Sequence, residues 1–122
     1  EIRYELSKRY NYDLTRTIDK LRSVSDFDVS CRGTVQSSLI CALNSTTFED
    51  AIRNAISIGG DSDTLACLTG SIAEALHGIP RDIAEKTVSY LTGDLAQVAI
   101  NFRKRFPLPM EGAASRHNIV SL

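Results

Sequence analysis

Phe48, Ala51, Ile52, Ala55 and Ile56 recur at offsets 0, 3, 4, 7 and 8 before Gly59-Gly60 interrupts them; the chain then resumes as Leu65, Ala66, Cys67, Leu68, Ile72, Ala73, Ala75 and Leu76. The first pattern is an amphipathic helix whose wet face carries Glu49, Asp50, Arg53 and Asn54. The second, from about Asp63 to Leu76, spreads apolar groups around nearly a whole helical circumference, which predicts a helix buried on all sides. The small residues Ala66, Gly70, Ser71 and Ala73 would let neighbouring helices approach it closely. No segment of useful length alternates with the period of a strand. The expected fold class is therefore all-α, with six or seven helices arranged around the Leu65 to Leu76 helix.

The remaining elements follow from periodicity and punctuation. Ile2, Leu6 and Tyr10 share one helical face; after the Asn11-Tyr12-Asp13 break, Leu14, Ile18 and Leu21 share another. Arg3, Lys8, Arg9, Arg16, Lys20 and Arg22 fall mostly off these faces and read as a solvated surface. Between Ser23 and Gly33 the period is lost, with Asp26, Asp28, Ser30 and Gly33 as loop residues around Phe27 and Val29, a loop placed to border a ligand pocket. Thr34 to Leu43 is helical through Val35, Leu39, Ile40 and Leu43. Thr46 and Thr47 offer two overlapping capping boxes with Glu49 and Asp50. Pro80 opens a helix carrying Ile83, Ala84, Thr87, Val88 and Leu91 until Gly93 stops it, and Leu95, Val98, Ala99, Phe102 and Phe106 form a last one. The domain reading is a helical domain over 1–106 and a tail over 107–122, in which His117 is a poor functional residue.

Composition excludes more than it names. A net charge of −1 gives no bulk electrostatic reason for nucleic acid or an anionic membrane as partner. The only dense basic run, Arg103-Lys104-Arg105, ends an amphipathic segment, where cations complement a helix C-terminus. Cys31, Cys41 and Cys67 are odd in number and lack CxxC spacing, so they read as reduced, buried small hydrophobes without catalytic duty. With no signal peptide and no apolar run of membrane-spanning length, the expected location is cytoplasmic. Because the sequence starts at Glu1 without Met, the chain is expected to be processed, truncated or one piece of a larger polypeptide. Glu74, alone among the charges of its helix after Asp63, needs a partner, and His77 reads as a residue of the helix end.

The chemistry concentrates in Gly59-Gly60-Asp61-Ser62-Asp63-Thr64. Residues i and i+2 diverge on a helix but converge in a non-helical turn, where two carboxylates and a hydroxyl suit a hard divalent cation, Mg²⁺ or Mn²⁺ over Zn²⁺. The competing reading is an N-cap, since Asp and Thr in a first turn complement the helix dipole. Capping accounts for one Asp and leaves the other.

The run Phe48 to Thr64, with Ala66, Gly70, Ala73, Glu74-Ala75 and Gly78-Ile79-Pro80 after it, resembles the carboxy-terminal signature of the ADP-ribosylglycohydrolase family, which includes the dinitrogenase-reductase-activating glycohydrolases. The resemblance extends less sharply through Cys31-Arg32-Gly33-Thr34-Val35 and on to about Phe106. It implies a compact multi-helix orthogonal bundle of which this chain is an incomplete portion. It also implies a hydrolase that removes ADP-ribosyl groups from a protein or a small ADP-ribose derivative by cleaving the bond at the ribose anomeric carbon. Asp61, Asp63 and Thr64 would be metal ligands for two Mg²⁺ or Mn²⁺ ions, with Asp61 and Asp63 catalytic, and Gly59, Gly60, Cys31 and Gly33 would meet substrate. The other half of that dinuclear site comes, in the family, from an amino-terminal Thr-Asp-Asp-type motif that this sequence lacks. A missing N-terminal segment or another chain is thus expected as a partner, and the chain alone is expected to be inactive and to self-associate through uncovered Leu65, Leu68, Ile72 and Leu76. The alternatives are a non-catalytic ADP-ribose-binding protein and a purely structural helical protein of the same fold.

Overall fold

The computed structural model describes residues 1–24 and 28–107. Asp26 and Phe27 of the expected loop, and the expected tail from Leu108 with His117, lie outside the described residues. Among those described there are seven helices and no strand: α1 (Ile2–Tyr10), α2 (Ile18–Ser23), α3 (Cys31–Leu43), α4 (Phe48–Ile58), α5 (Ser62–His77), α6 (Arg81–Tyr90) and α7 (Gly93–Arg105).

Side-chain oxygens set the starts of α2, α3 and α4. The hydroxyls of Thr17, Ser30 and Thr47 accept the backbone N–H three residues on, from Lys20, Gly33 and Asp50 at 3.2, 3.1 and 3.1 Å. Of the two capping boxes expected, the Thr47–Asp50 pair forms, and Asp50 Oδ2 takes the N–H of Thr46 instead. Two boundaries differ from the periodicity. Leu14 lies in a turn before α2, because Asp13 Oδ1 accepts both the N–H and the hydroxyl of Thr15 and offers the backbone a partner outside a helix. α3 starts at Cys31, three residues before Thr34, because Ser30 caps it and is itself held by Asp28. Gly93 opens α7 where it was expected to stop the helix before, the break falling at Leu91 and Thr92.

The chain forms two compact units, Glu1–Ala73 and the chain from Glu74 onward. In the first, α3 and α4 pack most extensively and α2 lies against both. Leu14, Leu21 and Ile40 close one core cluster, and Cys41, Ala55 and Leu65 another. The centre is therefore α3. α5 is not buried all round as expected: Leu65, Thr69 and Ala73, four residues apart, are buried, whereas Leu68, Ile72 and Leu76 are half-buried and Cys67 and Ala75 exposed. That spacing is a single stripe, so only one side of α5 meets close packing.

Polar groups hold this unit in register. The Ser38 hydroxyl donates to the Leu65 carbonyl and the Thr69 hydroxyl to the Ser38 carbonyl, both at 3.5 Å, so α3 and α5 approach through small side chains that satisfy each other's backbone. Arg3 is not the surface residue expected. Its guanidinium donates to the carbonyls of Leu14 (2.9 Å) and Leu43 (2.7 Å), tying α1 to the end of α3. In the second unit neither α6 nor α7 buries a residue fully. There Glu74 finds its expected partner in Arg103, 2.7 Å away.

Candidate functional site

The turn between α4 and α5 is made possible by two glycines. Gly59 and Gly60 adopt φ of +81° and +67°, a left-handed region that favours glycine. A Cβ at Gly59 would meet nothing within 4 Å, so the space beside this backbone is open. Asp61 follows, its carbonyl accepting the first helical bond of α5 from Leu65 N–H at 3.0 Å.

The two aspartates behave differently. Asp63 Oδ1 accepts the N–H of Thr64 at 3.0 Å, a local bond at the first turn of α5. Asp63 and Thr64 lie inside α5, which begins at Ser62, so this bond is a first-turn contact and not an N-cap. The Asp63 carboxyl is held below the ordinary aspartate range, chiefly by a hydrogen bond from the Asp61 carboxyl and then by the N–H groups of Thr64 and of Asp63 itself. With both ionised, the pair repels unless a cation lies between them. Their oxygens fit part of a hard cation's shell, with the Thr64 hydroxyl beside them in sequence. Among the described residues, no three His, Cys, Asp or Glu side chains come together as a metal group.

Asp61, Gly59, Gly60 and Gly33 line a single cavity of about 270 Å³, so the structure brings together four of the residues singled out in the sequence. Cys31, Asp63 and Thr64 are not among its lining residues. The segment expected to border a pocket does so through Val24 and Asp28. Gly33 is in the first turn of α3, not in a loop, and its lack of a side chain is what admits Asp28: a Cβ there would fall 1.9 Å from Asp28 Oδ2. Asp28 in turn accepts the Ser30 N–H at 2.8 Å, and its bonds to the Ser30 side chain and backbone hold its carboxyl below the usual range.

Sequence reasoning missed three polar residues of this cavity, Arg16, Gln36 and Ser37. Arg16, read as surface, pairs with Asp13 at 3.2 Å, and Gln36 accepts the Asp13 N–H at 3.1 Å. Nothing in the local sequence marks Arg16 or Gln36, because the Asp13 turn that gathers them joins α1 to α2. The thiols also need correction. All three are free, but only Cys41 is buried, whereas Cys31 and Cys67 are exposed. His77 ends α5, as expected.

No helix among the described residues is long and apolar enough to cross a membrane. Neither the curated proteins nor the solved structures include a match to this chain. The family model for ADP-ribosylglycohydrolase matches residues 4–111. That span takes in the Gly59–Thr64 turn, the cavity beside it and all but the start of α1, and the helical fold agrees with it: the chain belongs to the ADP-ribosylglycohydrolase family.

Proposed function

We propose that this protein is a metal-dependent hydrolase that releases ADP-ribosyl groups, from a protein side chain or a small ADP-ribose derivative, by cleaving the bond at the ribose anomeric carbon. The observation that supports the reading is Asp61 on the wall of a cavity that Gly33, Gly59 and Gly60 also line, with Asp63 and Thr64 following it in the first turn of α5. Asp61, Asp63 and Thr64 would hold Mg²⁺ or Mn²⁺. When bound, such ions supply positive charge that orients vicinal ribose hydroxyls and lowers the pKa of a water. Gly59 leaves room for a sugar to lie against the backbone, Gly60 beside it lines the same cavity, and Gly33 makes space there for the Asp28 carboxylate. Arg16 adds a cationic group suited to a phosphate oxygen. Cys31, exposed at the head of α3, is outside the cavity lining, so any contact with substrate would come from a part of the ligand that extends beyond it.

Two carboxylates and one hydroxyl do not complete the shells of two hard cations, which take six or more oxygens each. This chain therefore supplies half of a dinuclear site, and an upstream segment or another chain supplies the rest. The test measures the thermal midpoint against Mn²⁺ and Mg²⁺, together with release of ADP-ribose from a modified protein, for the chain alone and co-expressed with the residues encoded upstream of Glu1. Cation-dependent stabilisation that Asp63→Ala removes, and hydrolysis that appears only on co-expression, are expected. Asp61→Ala should cripple turnover nearly as much, and Thr64→Ala less. Normal hydrolysis by Asp63→Ala would sink the metal reading. Steady hydrolysis by the chain alone would sink the half-site reading, and binding of ADP-ribose without product would leave the non-catalytic alternative.

A further inference from the structure

The helix α7 carries Leu95, Val98 and Phe102, with Phe106 at its C-cap, at spacings of three and four, and all four are more than half exposed, at 57, 65, 61 and 54%. At about 100° per residue they fall within roughly 80° of arc, one narrow stripe. Ala99, Ile100, Arg103 and Lys104 line, with residues of α6, a cavity on a different side of α7. The Phe102 and Phe106 rings lie 5.0 Å apart between centroids and thicken one end of the stripe. An apolar stripe of this form, left open, is an interaction surface.

Charge along its edge says what fits. Asp94 precedes the stripe and Arg105 sits near its other end; by the same helical arithmetic both fall on one edge of it, about 20° apart. Both are exposed, and neither has an ion-pair partner among the described residues, whereas the neighbouring Arg103 is already paired with Glu74. In an antiparallel pair related by a two-fold axis, each edge of a stripe faces the same edge of its copy. The acidic start of one helix then meets the basic end of the other, which also suits the two helix dipoles.

We propose that α7 docks against α7 of a second copy of this chain, antiparallel, to form a two-fold symmetric dimer. One register satisfies every member of the stripe. Val98 packs on Phe102 of the second copy, Leu95 packs on its Phe106, and Asp94 pairs with its Arg105, each contact repeated by symmetry. A parallel pair would set this edge of each helix against the opposite edge of its copy, so Asp94 and Arg105 would meet no opposite charge across the seam. The surface is thus complementary to itself in one direction only. The proposal does not rest on the hydrolytic reading, since α7 contributes nothing to the cavity beside Asp61.

Sedimentation velocity and light scattering of the full 122-residue chain at micromolar concentrations test it. The expected species has twice the 13.4 kDa chain mass. Val98→Asp should give a monomer with unchanged helical circular dichroism. Asp94→Arg alone, and Arg105→Asp alone, should each raise the dimer Kd about tenfold by creating two like-charge contacts, and the double reversal should restore it. A monomer throughout the range overturns the proposal, as does association that grows beyond two copies or ignores the charge reversals. A double reversal no better than either single change overturns the antiparallel register.

Discussion

The Glu1–Ala73 unit and the chain from Glu74 are built from helices of similar length, yet they treat apolar surface in opposite ways. In the first, α2, α3 and α4 surround Ile40 and Cys41, which have no exposure, and the polar cavity lies at the edge of that packing. In the second, α6 and α7 bury no residue fully, and Tyr90, Leu95, Val98 and Phe102 stand in solvent. The Gly59–Gly60 turn leads into α5 just ahead of buried Leu65, so the residues beside the cavity stand on a packed base. A surface for association needs apolar side chains left outward. The difference teaches that exposed hydrophobics in one part of the chain are no sign of a poorly packed whole.

The three cysteines give the largest contrast with which to break this view. Burial pushes the Cys41 thiol up to about 12 from an ordinary 9.0, whereas Cys31 and Cys67 are exposed. At pH 8 the thiolate fraction of Cys41 is then on the order of one in ten thousand, and reagent must also wait for the core to open. Two thiols per chain should react rapidly with a disulfide reagent and the third only on addition of denaturant. Equal rates for all three would mean a loose core and erase the contrast. The raised pKa also fixes a sign. The folded state favours the neutral thiol, so this contribution to stability is whole below pH 9 and is lost as pH rises from about 9 toward 12. The alkaline decline should be smaller in Cys41→Ala.

Core truncation comes next. Ile40→Ala removes a side chain with no exposure and should lower unfolding free energy by about 2–5 kcal/mol, whereas Val98→Ala, on the open face of α7, should stay within about 0.5 kcal/mol in the monomer. Urea titration of both variants measures it. A comparable loss for Val98→Ala in dilute monomer would show that its face is covered within the chain.

How much of this was legible in the sequence follows from how local each determinant is. The helices α1, α4 and α5 stand within a residue of where apolar spacing puts them, and Thr47 caps α4 as its capping box requires. The Gly59–Gly60 turn is legible because two successive glycines break the helix, but Asp63 and Thr64 fall inside the first turn of α5 and not in the non-helical turn expected to bring Asp61 and Asp63 together. The one-sided burial of α5 is not, since Leu68, Ile72 and Leu76 have the same chemistry as Leu65 and only the position of α3 distinguishes them. Arg16 and Gln36 reach the cavity through a turn whose partners lie more than twenty residues apart, a distance over which no spacing rule operates.

Gly33→Ala sharpens the comparison within the first unit by separating stability from site geometry. The added methyl would overlap the Asp28 carboxylate, but that group ends a flexible side chain that is free to swing away. Alanine also favours a helix over glycine, so the net change in stability should remain within about 1 kcal/mol. Affinity for ADP-ribose should nevertheless fall, and Asp28→Ala should reduce it by a similar factor with no further loss in the double variant. Calorimetric titration of the three variants reads this directly, and additive losses would show that Gly33 touches ligand independently of Asp28.

The smallest effect tests the only ion pair that ties α5 to α7 in the chain from Glu74, among the described residues. Arg103 Nη1 lies 2.7 Å from Glu74 Oε1, with side chains 36 and 23% exposed, so water screens the pair without separating it. A pair of this kind contributes about 0.2–1 kcal/mol, weakened as salt rises and the Debye length falls below about 10 Å. Arg103→Ala strands a half-buried carboxylate and should cost more than Glu74→Ala, which leaves an arginine that remains able to reach solvent along its stem. The coupling from a double-mutant cycle should shrink between 0.05 and 1 M salt, measured by thermal unfolding. A coupling indifferent to salt would mean that α7 is held to the end of α5 by packing; the apolar contacts of α7 would then be directed inward more than its exposed stripe indicates.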